Sequence, residues 1–214
     1  MVTSRGRPDG FAALYESWLE TGAAARLVAV LDDDDPALDA YPRYPGVEYE
    51  VGPRVGHAQS LNRCALAHAG TVRIIGQVGD DHRFRTPWWD RQVSRALWAT
   101  GIAYGDDLYQ GVALPTAVWM TSDIVRALGQ FCPTTLWHLY VDNYWRDLGV
   151  GAGVLRYLPG VVVEHLHPSA GKAESDGTYE ESNNEWAWTH DGAAWEAYVA
   201  DRLPADVAAV AALL

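Results

Sequence analysis

Gly79-Asp80-Asp81-His82 sets two carboxylates and an imidazole side by side at the end of an apolar run, Thr71 to Val78. Such oxygen ligands suit a hard divalent cation, Mg2+ or Mn2+, which can bridge the phosphates of a nucleotide and neutralise a phosphate leaving group. An isolated Asp-Asp pair is more often a solvated turn, but the carboxyl end of a strand is where open α/β sheets bind ligands. A second acidic tract, Asp32-Asp33-Asp34-Asp35, follows the apolar run Leu27 to Leu31. Most charge runs are exposed loops. At this rim, Asp32 or Asp33 is expected to accept hydrogen bonds from a base or ribose, with Asp34 and Asp35 solvated. Glu164-His165-Leu166-His167 closes a third apolar run. Side chains alternate along a strand, so His165 and His167 share a side and could reach one metal ion.

Elements able to position these groups follow from the apolar pattern. Val2 to Ser4 is a short extended start, and Asp9 is a candidate cap for a helix with Phe11, Leu14, Tyr15, Trp18 and Leu19 on one face, stopped by Gly22. Strands are expected at Leu27 to Leu31, Val47 to Val51 and Thr71 to Val78. Helices are expected from His57 to Ala69 and, with Pro87 at its start, from Trp88 to Thr100. Strands alternating with helices imply an α/β fold with an open, mostly parallel central sheet flanked by helices. Beyond residue 101 the pattern loosens: a strand at Thr116 to Met120, helices at Ser122 to Leu128 and Val141 to Leu148, and short strands at Val154 to Leu158 and Val161 to His165. Pro168 to Asn184 reads as a long polar loop, often a cover over a site. A helical stretch from Glu185 follows.

Composition narrows the function classes. The chain has 214 residues, 49% of them apolar, and a net charge of −12, so one domain with a full core is expected and disorder is excluded. The acidity disfavours broad binding to nucleic acid. Two cysteines, Cys64 and Cys132, make no disulfide framework, no basic-then-apolar leader is evident and no apolar run reaches spanning length, all of which suggest a cytoplasmic protein. Lys172 is the sole lysine beside 15 arginines, a mark of a high-GC genome, bacterial or phage. Ten tryptophans supply flat faces for core filling or for stacking on sugars. Trp88 and Trp89 cannot both face the core, and Trp89 is the expected stacking contact; Trp119, Trp137 and Trp145 also lie near the acids or at element ends.

Taken in order, Thr3-Ser4-Arg5-Gly6-Arg7-Pro8, the acids after the second strand, Arg54-x-Gly56 with Asn62, the Asp80-Asp81 pair, Asp142 and a strand-end histidine resemble a GT-A glycosyltransferase of the family 2 type, over residues 2 to 172. The resemblance implies a Rossmann-like GT-A domain over 1–184, with a nucleotide-sugar half (1–100) and an acceptor half (101–184), and a helical extension over 185–214. It implies a metal-dependent, inverting enzyme that moves a sugar from a nucleotide-diphosphate donor to an acceptor hydroxyl on a glycan, a protein or a modified nucleobase. Thr3, Arg5, Asp32, Asp33, Arg54, Asn62, Asp80, Trp89 and Lys172 would contact substrate. Asp81 with His165 or His167 would hold Mn2+ or Mg2+, and Asp142 would be the general base. The motif here is Gly-Asp-Asp-His rather than Asp-x-Asp, and Asp106, Asp107 and Asp147 are further acids that could compete with Asp142.

Two other readings stand beside this one. A nucleotidyltransferase of sugar phosphates shares an acid-rimmed sheet and a Mg2+ requirement, but usually has a glycine-rich, lysine-containing opening loop, which Arg5-Gly6-Arg7-Pro8 is not. A non-catalytic carbohydrate-binding protein would account for the tryptophans. A homo-oligomer is compatible with all three readings.

Overall fold

The computed structural model describes residues 1–214. Eight strands, β1 (Val2–Ser4), β2 (Leu27–Asp32), β3 (Val47–Gly52), β4 (Ile74–Gly79), β5 (His82–Phe84), β6 (Ile102–Asp106), β7 (Val118–Thr121) and β8 (Leu155–His165), form one sheet in the order β3-β2-β1-β4-β7-β6-β8-β5. β1, β2, β3 and β4 run parallel. β7 is antiparallel to both β4 and β6, which restores the direction of β6 and of its parallel neighbour β8. All strands but β5 and β7 therefore end at the same edge, and that edge collects Ser4, Asp32, Gly79, Asp106 and His165.

Local sequence accounts for these elements. β2 is apolar from Leu27 to Leu31 because both of its faces are covered, whereas β3, at the edge, alternates. Helix α1 (Pro8–Glu20) starts on a proline, whose missing N–H is no loss there; Arg7, not Asp9, holds the cap position, and Asp9 sits in the first turn. Helices α2 (His57–His68), α3 (Trp89–Ala96), α4 (Ser122–Leu128), α5 (Val141–Gly151), α6 (Gly177–Ser182), α7 (Glu185–Asp201) and α8 (Leu203–Ala211) complete the chain. No helix is long and apolar enough to cross a membrane.

The sheet separates two apolar clusters. One packs β2 against α1 and α3 through Phe11, Leu14, Leu31, Trp89 and Val93. The other gathers α2, α4, α5, α7 and α8 around Leu61, Ile124, Tyr144, Trp145, Tyr198 and Val210. α7 and α8 are thereby part of the core: the Tyr144 and Tyr198 hydroxyls both donate to Asp206, at 3.1 and 2.5 Å.

Several elements differ from the sequence expectation. α3 stops at Ala96 rather than Thr100, and β4 starts at Ile74, after a turn. β5 and β6 lack a long apolar run and were not expected. The two strands expected at 154–158 and 161–165 are one, β8, whose register against β6 shifts at Gly105/Asp106 so that Pro159 to Val161 bulge out. The polar segment 168–184 is not one irregular loop, since it contains α6.

Candidate active site and metal centre

At the shared strand edge lies a cleft of about 300 Å³. Asp80, only 5% exposed, lies at its base. Its carboxylate accepts from Ser4 Oγ at 2.6 Å and from Arg7 Nη1 at 3.3 Å, and Ser4 Oγ is also 2.9 Å from the Tyr41 hydroxyl. Burial, and then the charge of Asp81, push the Asp80 carboxyl up to about 6 against the pull of Arg7 and Ser4.

Asp81 turns back over Gly79, where a Cβ would come within 2.4 Å of its Oδ1, so a larger residue there would displace it. Its Oδ1 is 3.0 Å from His82 Nδ1 and its Oδ2 is 3.2 Å from His165 Nε2. The His82 and His165 rings stack, with centroids 4.3 Å apart, and β5–β8 pairing sets them in register.

The donor chemistry of this cluster fits a divalent cation. Gly79 N–H donates to His82 Nδ1 at 3.1 Å, so that nitrogen presents a lone pair and has no proton to offer Asp81. His165 Nδ1 is buried without a partner, 3.9 Å from Asp107 Oδ2. A ring proton there would face Asp107 and leave the Nε2 lone pair facing Asp81, as the outer partner of a metal-bound histidine commonly arranges. One ligand atom from each of Asp81, His82 and His165 lies within 4.8 Å of the others. His167 lines the same cleft with its ring 4.9 Å from that of His165, but its Nδ1 accepts from Ser169 N–H at 3.1 Å.

Asp142 lines the same cleft, in the first turn of α5. Its Oδ1 accepts from Asn143 N–H at 2.9 Å, and burial pushes its carboxyl up, countered in part by the charges of Arg146 and His165. A raised carboxyl is better matched to accepting a proton near neutrality. The competing acids are committed elsewhere. Asp107 accepts three backbone N–H groups and Thr116 Oγ1, and Asp147 pairs with Arg146 at 2.7 Å. Asp106 caps the Leu108 N–H. None of the three lines the cleft.

The nearby wall is Trp137-His138-Leu139, whose three backbone N–H groups donate to one carboxylate, Asp191 of α7, at 2.8, 2.8 and 2.7 Å. Gly56, at φ +88°, lies so close that a Cβ would meet the Trp137 ring at 2.7 Å; backbone angle and space both require glycine. Beside it His57 Nδ1 is 2.9 Å from Thr3 Oγ1, and burial, with the charge of His138, pushes His57 down to about 3.

α6 covers the cleft, tied down by arginines beneath it. Arg7 makes paired hydrogen bonds to Asp176 at 2.7 and 2.5 Å, Arg54 pairs with Glu181, and Thr178 Oγ1 donates to the Arg5 carbonyl at 3.1 Å. Arg5 itself bridges Asp32 at 3.3 Å and Asp34 at 2.5 Å.

Of the residues expected from sequence, the cleft brings together Thr3, Arg5, Asp32, Arg54, Asp80, Asp81, Asp142, His165 and His167. Four lie elsewhere, each for a physical reason. Asp33 is exposed outside the cleft. Asn62 is buried, its side chain spent on Phe131 N–H, Cys132 N–H and the Cys132 carbonyl. Trp89 is a core residue, 5% exposed and stacked on Phe84, while its neighbour Trp88 is 54% exposed. Lys172 is bound to Glu164 at 2.9 Å and to the Leu108 carbonyl, away from the cleft. Asp35 was expected in solvent, but it is buried and accepts from Gly6 and Ala37 N–H. Trp119 is likewise in the core, Trp137 lines the cleft, and Trp145 is a core residue that borders it. Sequence reasoning put the opening segment Thr3 to Pro8 at the nucleotide but singled out only Thr3 and Arg5 within it, not Ser4 and Arg7; His57 was missed and had no signal.

No family model and no curated protein matches the sequence. Solved structures do match in fold. TarS of S. aureus, a GT-A glycosyltransferase solved in complex with UDP, aligns with a TM-score of 0.58 at 10% identity, covering 76% of this chain and 58% of that one. The chain thus spans a little over half the length of that TarS structure. A Bacillus anthracis protein assigned as a glucose-1-phosphate thymidylyltransferase, in complex with sucrose, aligns at 0.55 and 9% identity over 84% of this chain and 97% of its own. Rv0371C of Mycobacterium tuberculosis, in complex with manganese, aligns at 0.52 and 19% identity over 78% and 90%. The chain therefore has the Rossmann-like α/β fold that GT-A glycosyltransferases share with nucleotidyltransferases.

Proposed function

We propose that this protein is a metal-dependent glycosyltransferase that moves a sugar from a nucleotide-diphosphate donor to an acceptor hydroxyl with inversion. The observation that carries the reading is the meeting of Asp81 and His165, 84 positions apart in sequence, at 3.2 Å in the same cleft that Asp142 lines. Asp81, His165 and His82 would hold the cation, with His167 beside them. When bound, a divalent ion there neutralises the negative charge that grows on the departing diphosphate.

The remaining roles fall to side chains of this protein. Thr3 and Asp32, at the ends of β1 and β2, would bind the nucleoside. Arg5, Arg7 and Arg54 line the cleft, and each is held by a half-exposed acid, Asp34, Asp176 or Glu181, whose place diphosphate oxygens can take. Asp80 holds Ser4 and Arg7 in position. Asp142 would take the proton of the acceptor hydroxyl; a base acting opposite the leaving group gives inversion by a single in-line displacement. Trp137, with Trp186 edge-on to it at 6.0 Å, offers an aromatic rim for the acceptor.

A nucleotidyltransferase is the second reading, favoured by the near-complete coverage of the B. anthracis protein and opposed by an opening loop with one glycine and no lysine. One assay separates the readings: UDP-, GDP- and dTDP-sugars with Mn2+, run beside nucleoside triphosphates with sugar 1-phosphates. Release of nucleoside diphosphate from a sugar donor, stopped by a chelator and restored by Mn2+, is the expected result. Pyrophosphate release from the second set would install the nucleotidyltransferase instead, and ligand binding without turnover would leave a binding protein.

A further inference from the structure

On the face of the sheet that α2 covers, at the other end of α2 from the cleft, a second group of ligating side chains meets. Cys64 and His68 stand four residues apart on α2 and so share one helical face. Glu50 reaches them from β3, and one ligand atom from each of the three lies within 4.8 Å of the others. His68 Nε2 is 2.9 Å from Glu50 Oε1 and 3.8 Å from Glu48 Oε1. Register sets the two glutamates beside Val28 and Val30 of β2, the residues on which Cys64 packs. The thiol is 1% exposed, while His68 and Glu50 keep about a fifth of their side-chain surface in water, which leaves a way in for an ion.

We propose that Glu50, Cys64 and His68 form a second metal site, distinct from the Asp81 centre, that takes a zinc-like cation and ties edge strand β3 to α2. Sulfur, imidazole nitrogen and carboxylate oxygen are the mixed donors that zinc accepts in tetrahedral geometry, and Glu48 is near enough to be a fourth. The Asp81 centre offers a carboxylate and imidazoles but no sulfur, so the thiolate makes the Cys64 centre the softer of the two. Binding is an exchange of charge: the Cys64 thiol gives its proton to solvent and the thiolate sulfur binds the cation. A small apolar wall of Val28 and Val30 holds the sulfur in place. The tie lies at the base of the β3–α2 connection, whose far end carries Arg54, Gly56 and His57 into the cleft.

The test needs no substrate and is independent of the proposed glycosyl transfer. The reduced full-length protein is titrated with Co2+, as wild type and as Asp81→Ala, which disables the other centre. A thiolate-to-cobalt charge-transfer band that plateaus at one equivalent in Asp81→Ala and by two equivalents in the wild type, and is bleached by Zn2+, is expected; the Asp81 centre has no thiol and cannot produce it. The band should vanish in Cys64→Ser and persist in Cys132→Ser. His68→Ala and Glu50→Gln should each weaken binding by at least the roughly 10- to 100-fold that losing even an outer partner costs. Zn2+ should also raise the Tm of Asp81→Ala. Absence of the band in the wild type at saturating Co2+ would overturn the proposal even if Cys64→Ser failed to fold, and so would a band that survives Cys64→Ser.

Discussion

The two acidic tracts look alike in sequence, each a cluster of aspartates after an apolar strand, yet the fold treats them differently. In the first, one of four acids reaches the cleft: Asp32 does, Asp33 faces solvent, Asp34 pairs with Arg5, and Asp35 is buried as a cap for two backbone amides. In the second, both acids line the cleft and neither is solvated like a loop charge. Asp80 is held by Ser4 and Arg7, and Asp81 stands between two histidines with which it can share a cation. What distinguishes the tracts is the supply of partners. A carboxylate stays at a buried edge only where a cation, a hydroxyl or an amide meets it.

Substitutions test that contrast, and the second tract should give the largest effect. If Asp81 is the carboxylate on which a cation depends, Asp81→Ala loses about 4 kcal/mol of transition-state stabilisation, roughly 1,000-fold in donor turnover. Activity within tenfold of wild type would place the cation elsewhere. Asp142→Asn should lower kcat by roughly 100-fold or more while leaving donor KM nearly unchanged; a rise in KM alone would make Asp142 a binding residue.

His57, between the tracts, sharpens the comparison through pH. Its folded pKa of about 3 lies below the ordinary 6.5, so as pH falls the unfolded chain takes up the proton first. Stability is then complete above pH 6.5 and is lost as pH falls from there toward 3, at about 1.4 kcal/mol per pH unit. Between pH 7 and 5, His57→Gln should lose about 2 kcal/mol less than wild type in urea unfolding. Parallel pH profiles would show that His57 is not buried as a neutral ring.

The smallest effects belong to the first tract, and there the neighbours should part company. Asp32→Ala should raise donor KM by roughly tenfold, the worth of about one hydrogen bond. Asp33→Ala should change it by less than about twofold, as exposed substitutions do. Equal effects at the two positions would break the distinction drawn inside this tract.

Much of this arrangement was legible in the chain itself. Apolar runs of strand length located β2, β3 and β4, and acids at the carboxyl ends of β2 and β4 marked the edge where the cleft lies. Period-two spacing put His165 and His167 on one side of a strand, and the resemblance to GT-A glycosyltransferases implied that one of them joins Asp81. The remainder depended on long-range packing. Nothing local distinguishes Asn62 on α2 as a bracket for Phe131 and Cys132, or Trp89 as a core ring when its neighbour Trp88 is in water. β5 is three residues long and exists because β8 pairs with it, so no window on its own sequence reveals it.

Asp191 carries a consequence for how the molecule is made. Residues 137 to 139 have backbone amides whose common acceptor arrives more than fifty positions later, on α7. On a nascent chain leaving the ribosome, the parallel strands and their carboxylates are in hand early. The neighbouring flank of the cleft cannot set until α7 emerges, so the cleft is completed well after the strands that form its edge.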